Sequence, residues 1–416
     1  MTDDRTFLIV GASLAGAKAA AALREEGFEG RVVLVGEEDS PPYERPPLSK
    51  SFLRGESTAE AADVHPPGFY RDHDIELHSG RRVVRLDTRA RTAVTDRDET
   101  LPYDRLLLAT GASPRRLHVP GAELDGIHYL RTLPDADRLS DAIRSSGRVT
   151  VIGAGWIGCE VAASAREMGA QVTMVEAAQV PLERVLGIRL GGFYAEVHRE
   201  HGVDLRLGSG VDRILGSGRV EEVVLTDGRR IETDLVVAGV GVTPRDELAV
   251  DAGIPVANGI LTDALMATSV PGVYAAGDVA NSWHPLYRRH IRLEHWSAAV
   301  GQGAAAARSM LGRSRAYATL PYFFSDQYDV GMEYSGLAGP GDDLILRGDP
   351  ASRRFVAFWT REGRVTAGMN VNIWDVAGSI ADLITSRRPV DPSRLADPNV
   401  DLASIAAAEA VRDGAA

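Results

Sequence analysis

The sequence predicts an α/β chain of two Rossmann-like units, one nested inside the other, followed by a C-terminal α+β domain. Three observations carry this reading. The order apolar run, glycine turn, small-residue helix, apolar run, acid occurs twice, from Thr6 to Glu37 and from Arg148 to Glu176. Each copy leads to a small-residue exit, Ala109-Thr110-Gly111 and Ala238-Gly239-Val240-Gly241, after which the chain returns to complete the first unit. Beyond Pro321 the pattern changes to short alternating strands.

In the first copy Phe7 to Val10 read as a buried strand that breaks at Gly11. The turn is Gly11-Ala12-Ser13-Leu14-Ala15-Gly16, with Ser13 where a G-x-G-x-x-G turn has its middle glycine. Glycine lets the backbone approach a pyrophosphate, and the N-terminus of the following helix presents free N–H groups and positive potential to it. Glu37, ending the second apolar run, is placed to accept hydrogen bonds from ribose hydroxyls. Together these parts describe a site for an adenine dinucleotide.

Length and composition set the outer bounds. A chain of 416 residues exceeds what one core supports, so two or three domains are expected. The net charge of −12 argues against nucleic acid or an anionic membrane as the main partner. The N-terminus lacks a basic start before a long apolar segment, and no run approaches the roughly 18 apolar residues of a membrane span, so a cytoplasmic protein is expected. Cys159 is the only cysteine, which excludes a disulfide, a redox dithiol and a four-cysteine cluster within the chain. Any one-electron metal centre therefore belongs to another protein. Cys159 starts a helix, where a thiol can be activated, but Ile157 and Val161 beside it predict a packed side chain.

After Glu37 the proline-rich stretch Pro41 to Glu56 carries Arg45 and Lys50, two cations on a rigid turn near the cofactor. Short strands are expected from Ile75 to Leu108, and a helix over Asp135 to Ile143 after Tyr129-Leu130-Arg131-Thr132. The second turn, Gly153-Ala154-Gly155-Trp156-Ile157-Gly158, is a complete G-x-G-x-x-G, and Glu176 ends its second strand. A carboxylate there accepts from the 2′- and 3′-hydroxyls and repels a 2′-phosphate. Ala177 and Ala178 follow, with Arg184 further on, so NADH is favoured over NADPH.

Strands are expected at Val203 to Leu207, Val220 to Thr226 and Ile231 to Val237. The returning segment Gly272 to Gly277 ends at Asp278, an acid suited to a polyol hydroxyl. Arg292 to Leu311 reads as a long helix whose start, Glu294 to Trp296, would place its dipole against the pyrimidine end of a reduced flavin. In the last third, strands at Asp343 to Arg347, Arg354 to Thr360 and Arg364 to Val371 predict an antiparallel sheet, followed by helical stretches and an Ala-rich tail.

The two nested units resemble the glutathione-reductase-like flavoprotein superfamily. The stretches PPYERPPLSKSFL, LLLATGASPR, VIGAGWIGCEVA, GVGVTPRDELA, YAAGDVA and PYFFSDQYD are similar to those of NADH-dependent ferredoxin reductases of bacterial oxygenase systems. The resemblance implies FAD and NADH as cofactors and three domains: 1–114 with 244–320 for FAD, 115–243 for NADH, and 321–416 as a C-terminal interface domain. It places Gly11, Ser13, Ala15 and Gly16 on the FAD pyrophosphate and Glu37 on the adenosine ribose. Arg45, Val83, Thr110, Gly111, Arg131, Asp278 and Trp296 complete the FAD set. For NADH it implies Gly153, Gly155, Ile157, Gly158, Glu176, Arg184 and Gly241. Lys50 would stand beside the reactive flavin face, paired with Glu160, and these two form the catalytic pair. Three departures stand out: Ser13, aromatic residues Tyr322 and Phe324 where the family often has Trp, and Arg245 where it commonly has Asn.

The implied partner is a small two-iron ferredoxin. Such ferredoxins are commonly acidic, so a basic patch is expected at Arg288, Arg289, His290 and Arg292, with Arg115 and Arg116 as a second choice. Reduction of rubredoxin, a quinone or a small oxidant, or a redox-sensing role like that of apoptosis-inducing factor, uses the same fold. A disulfide reductase or NADH peroxidase would need a cysteine facing the flavin, and the stretch after Glu37 has none.

Overall fold

In the first Rossmann unit the strand Thr6–Val10 lies at the centre of a five-stranded parallel sheet, between Arg31–Val35 and Arg105–Leu108. Phe7, Leu8, Ile9 and Val10 are buried on both faces, as an unbroken apolar run in a parallel sheet requires. Ile75–His78 and Val273–Ala275 complete its edges. Val10 registers with Val35 and with Leu108, so the glycine turn, Gly36-Glu37 and Ala109-Thr110 all leave the sheet at one edge. Ligands of open α/β sheets bind at that carboxyl edge.

The computed structural model describes residues 3–313 and 315–406, and the Ala-rich tail expected from sequence lies largely outside them. Packing divides the chain into two units: the segment up to Pro46 with Ser57–Ser113 and Val242–Thr319, and Pro47–Glu56 with Pro114–Gly241 and the chain from Leu320 on. The stretch expected as a separate C-terminal domain thus falls within the second unit, as does the short segment that carries Lys50.

Within the first unit the helix Leu14–Glu25 is rich in alanine because it is crowded. The helix Trp296–Met310 crosses it so closely that a Cβ on Gly303 would lie 2.3 Å from the carbonyl oxygen of Ala15. That helix begins after His295, four residues later than the expected start at Arg292, because Arg289–Arg292 pairs as a strand with Ala280–His284.

The second unit repeats the plan. Arg148–Ile152 is flanked by Gln171–Glu176 and Leu235–Ala238 in a five-stranded parallel sheet, and Ile152 registers with Val175 and Ala238. The expected strand Ile231 to Val237 is two strands, Arg230–Glu232 and Leu235–Ala238. Asp234 divides them, its carboxylate turned back to accept from the backbone N–H groups of Gly147 and Arg148.

Pro46–Ser49 and Ser51–Arg54 form two short helical turns anchored to this unit. Leu53 is fully buried with Leu139 and Val149, and Ser140 and Ser164 donate to the carbonyls of Leu53 and Ser49 at 2.7 Å each. Truncating a leucine so placed costs ~2–5 kcal/mol. The C-terminal antiparallel sheet has five strands in the order Tyr322–Gln327, Val330–Gly336, Arg364–Val371, Arg354–Arg361, Asp343–Asp349. The first two were missed in the sequence: Tyr322–Gln327 because Ser325 and Gln327 occupy the buried face where apolar residues are expected, and Val330–Gly336 although Val330, Met332 and Tyr334 alternate on its buried face.

Candidate functional site

The two glycine turns have one construction. Gly11 has φ +116°, and a Cβ there would lie 2.1 Å from the carbonyl oxygen of Ala109. A Cβ on Gly16 would lie 2.0 Å from that of Gly11. Gly153 and Gly158 repeat this at 2.5 Å from Gly239 and 2.0 Å from Gly153. These four glycines are demanded by the backbone itself. The middle position is different: Gly155 has φ −77°, and a Cβ there would meet no atom within 4 Å.

Ser13, at the same place in the first turn, has an ordinary extended φ of −122°. A side chain is therefore tolerated without strain, which accounts for the departure from G-x-G-x-x-G. Neither Ser13 nor Gly155 caps its helix with a side-chain hydrogen bond, so both helix starts fit an anionic pyrophosphate. Ala15 is buried within the first helix, and Ile157 is exposed at the start of the second. Arg45 lies beside the first turn, its Nη2 3.5 Å from Ser13 Oγ and 3.0 Å from Glu38 Oε1.

The two strand-end acids are held differently. Glu176 accepts from the backbone N–H of Ala154 at 2.7 Å and of Ala178 at 2.9 Å. A carboxylate offers about four acceptor sites, so capacity for two ribose hydroxyls remains. Glu37 is instead gripped by Arg245, Nη2 lying 2.8 Å from Oε2 and Nη1 also bonded. The Arg245 guanidinium holds the Glu37 carboxyl below its ordinary range, against the opposing effect of burial. Arg245, for which the sequence suggested no consequence, thus neutralises the first acid.

Thr110 donates to the carbonyl of Arg245 at 2.6 Å, and Gly111, with φ +72°, accepts from its N–H at 2.9 Å. Val83 packs in the core with Val10 and Val35. Asp278 lies in the turn Gly277–Val279, where Gly277 N–H donates to buried Gln302, and Trp296 starts its helix. In the second unit Gly241, with φ +98°, accepts from Arg115 N–H, and Arg184 is exposed at the start of the helix Glu183–Glu200. Arg131 precedes the helix Leu133–Ser145, whose N-terminus is a Thr132–Asp135 capping box.

Lys50 and Glu160 meet within the second unit. Lys50 Nζ lies 2.6 Å from Glu160 Oε2, and the carboxylate also accepts from Ser49 Oγ and, at 2.7 Å, from Ser325 Oγ. Glu160 is 4 % exposed, so three donors offset the cost of burying its charge. Phe324 lies under the ammonium at 5.9 Å, and burial, opposed by Lys50, pushes the Asp326 carboxyl up. Sequence reasoning missed Ser49 and Ser325. For Ser325 the signal was the period of two in the strand 322–327, which puts Phe323, Ser325 and Gln327 on one face.

Cys159 is fully buried, its Sγ 3.5 Å from the carbonyl of Ala154, and burial pushes its thiol up. It is a packed side chain, as its neighbours predicted. Of the expected basic patch, Arg288, Arg289 and His290 are exposed beside Trp283, 40 % exposed. Arg292 does not belong to it: its side chain is 9 % exposed and paired with Glu294 at 2.7 Å. Arg115 and Arg116 are both exposed, the latter 4.2 Å over the Tyr129 ring. No helix among the described residues is long and apolar enough to cross a membrane.

Two family models match: pyridine nucleotide-disulphide oxidoreductase over residues 5–303, and reductase C-terminal over 322–406. The chain is 38 % identical to rhodocoxin reductase of Rhodococcus erythropolis, over 95 % of this chain and 93 % of that one. It is 37 % identical to putidaredoxin reductase of Pseudomonas putida, over 98 % of each. Among solved structures it superposes on the covalent putidaredoxin reductase–putidaredoxin complex with a TM-score of 0.94 at 38 % identity, covering 97 % of this chain and 99 % of that one. Members of this family contain FAD and use NAD(P)H, and both turns fit the pyrophosphates of such cofactors. The chain therefore belongs to the pyridine nucleotide-disulphide oxidoreductase family, and is a flavoprotein oxidoreductase of glutathione-reductase-like fold that carries the reductase C-terminal domain.

Proposed function

We propose that this protein takes a hydride from NADH in preference to NADPH and hands the electrons singly to a two-iron ferredoxin. That ferredoxin would serve an oxygenase, either a cytochrome monooxygenase or a ring-hydroxylating dioxygenase. The observation that carries the reading is the pairing of two phosphate turns, each with its own strand-end acid, with a sole thiol that is sealed in the core. Electrons leaving such a chain have no sulfur to pass through. The relatives are reductases named for small electron carriers, which is the acceptor class proposed here.

Under this proposal the first turn, with Glu37, Arg45, Thr110, Gly111, Arg131, Asp278 and Trp296, holds FAD, and Val83 packs behind it. The second turn, with Glu176, Arg184 and Gly241, holds NADH. Bound FAD would supply the exchange between a two-electron donor and one-electron acceptors. The Glu176 carboxylate supports the choice of NADH, since Ala177 and Ala178 beside it offer no cation to a 2′-phosphate. Glu160 holds the Lys50 ammonium in place, so the cation serves cofactor reduction as an ordered charge. Arg288, Arg289 and His290 offer an acidic ferredoxin a basic surface.

The test is anaerobic titration of the purified yellow protein with NADH and, separately, NADPH, followed by candidate two-iron ferredoxins. Bleaching by NADH at lower concentration and re-oxidation by a ferredoxin are expected. Equal response to both nucleotides removes the NADH assignment, and re-oxidation by quinone but no ferredoxin removes the partner assignment.

A further inference from the structure

Glu160 is the end of a longer chain of groups that runs from the protein surface. Ser325 Oγ, bonded to Glu160 Oε1, lies 3.2 Å from Gln327 Nε2. Gln327 Oε1 lies 3.1 Å from His198 Nε2, and His198 Nδ1 lies 3.3 Å from Tyr328 Oη. Ser325 and Gln327 are each 1 % exposed and His198 is wholly buried. Tyr328 alone reaches the surface, at a depression of about 410 Å³ lined by Arg166, Glu167, His201, Tyr328 and Asp329.

The direction of every bond follows from the carboxylate. An ionised Glu160 only accepts, so Ser325 must donate to it. The Ser325 oxygen then accepts from the Gln327 amide, which turns the Gln327 carbonyl toward His198. That carbonyl requires a proton on His198 Nε2, which leaves Nδ1 of the neutral ring to accept from Tyr328. Burial pushes the His198 imidazole down to about 4, partly opposed by its bond to Gln327, so the ring is neutral near pH 7. Successive donors aligned in one sense strengthen one another in a water-poor interior.

Tyr328 is held where it is at a conformational cost. It has φ +56°, in the left-handed region that bulky residues avoid, inside the two-residue turn that follows Gln327. Its ring stacks on His201 at 3.7 Å and 8°, and its hydroxyl meets His198. Backbone strain of this kind persists where neighbouring contacts fix it, and here they fix the outer end of the chain.

We propose that Tyr328, His198, Gln327 and Ser325 are positioning residues: a one-way chain of hydrogen-bond donors that holds the Glu160 carboxylate in place and aimed at Lys50. The role rests on the proposed part of Lys50 and Glu160 in cofactor reduction. The other ionisable groups around Glu160 are Lys50, Asp326, Cys159 and Tyr194, and only Lys50 is a cation. His201 and Tyr328 are the groups that face His198.

Two measurements test it. Ring nitrogen shifts of 15N-histidine-labelled protein, with His198 identified by its loss in His198→Gln, should show a neutral Nε2–H tautomer between about pH 6 and 8. A Nδ1–H tautomer or an imidazolium overturns the chain, whatever the activity. In stopped flow, Ser325→Ala should slow flavin reduction by NADH about tenfold with unchanged NAD binding, and Ser325→Thr should recover to within about threefold. If Lys50→Ala slows reduction while Ser325→Ala has the parent rate, the chain is refuted and the Lys50 reading stands. If Lys50→Ala has no effect, the reading beneath it fails.

Discussion

Lys50 Nζ lies 2.6 Å from Glu160 Oε2, with the two side chains 14 % and 4 % exposed. A pair so enclosed differs from the surface ion pairs of this chain, which are worth ~0–1 kcal/mol each. Removing one partner of a buried pair leaves a charge uncompensated, at ~3–5 kcal/mol. Its energetic role and its proposed chemical role can therefore be separated by experiment.

Lys50→Ala is expected to lower the melting temperature and to slow flavin reduction by NADH at least tenfold. Lys50→Arg should recover much of the stability, because a cation again faces Glu160, but less of the rate. Stopped-flow absorbance at saturating NADH measures the second effect. An unchanged rate in Lys50→Ala would remove the residue from the proposed catalytic pair.

Glu176→Ala should weaken NADH binding by about 10–100-fold, the loss expected for hydrogen bonds to a charged acceptor. It should leave the flavin in place. Equilibrium titration with NAD analogues and the flavin-to-protein absorbance ratio check both halves. Loss of the flavin with retention of nucleotide affinity would contradict the assignment of the two units.

Arg245→Asn frees Glu37 and should cost stability in a pH-dependent way. The folded Glu37 carboxyl sits below its ordinary value of 4.5, chiefly through its bond to Arg245. The unfolded chain therefore binds the proton more readily, and the pair's contribution is full above pH 4.5 and lost as pH falls through the folded value. With both side chains about a third exposed the contribution is ~1 kcal/mol or less. Urea melts of the parent and variant should differ at pH 7 and converge in acid; a constant difference across that range would assign the effect to packing.

Cys159→Ser should leave electron transfer intact. In the native protein the thiol should resist an aromatic disulfide reagent that titrates it fully in denaturant, since it is wholly buried and its thiolate is disfavoured. Rapid native labelling coupled to loss of activity would restore a sulfur-based mechanism.

Much of this was legible in the sequence because it rests on short-range rules. Gly11, Gly16, Gly153 and Gly158 are required because a Cβ at each would lie 2.0–2.5 Å from a backbone carbonyl oxygen, so the turns must be written in glycine. Glu37 and Glu176 follow from the length of the helix between strands. The long-range polar contacts were not legible. Nothing local links Glu160 to Ser325, and the alternation at 322–327 reads as a poor strand until its polar face is found buried. The start of the helix at Trp296 was obscured in the same way, since Arg289–Arg292 pairs as a strand with the distant Ala280–His284.

The most direct measurement follows flavin absorbance anaerobically while one equivalent of NADH, then two equivalents of an oxidised two-iron ferredoxin, are added to the purified protein. Bleaching by NADH and full recovery of the yellow colour as both ferredoxin equivalents become reduced are expected. A protein that takes up no FAD, or one whose bleached flavin transfers nothing to any ferredoxin, would contradict the proposed function.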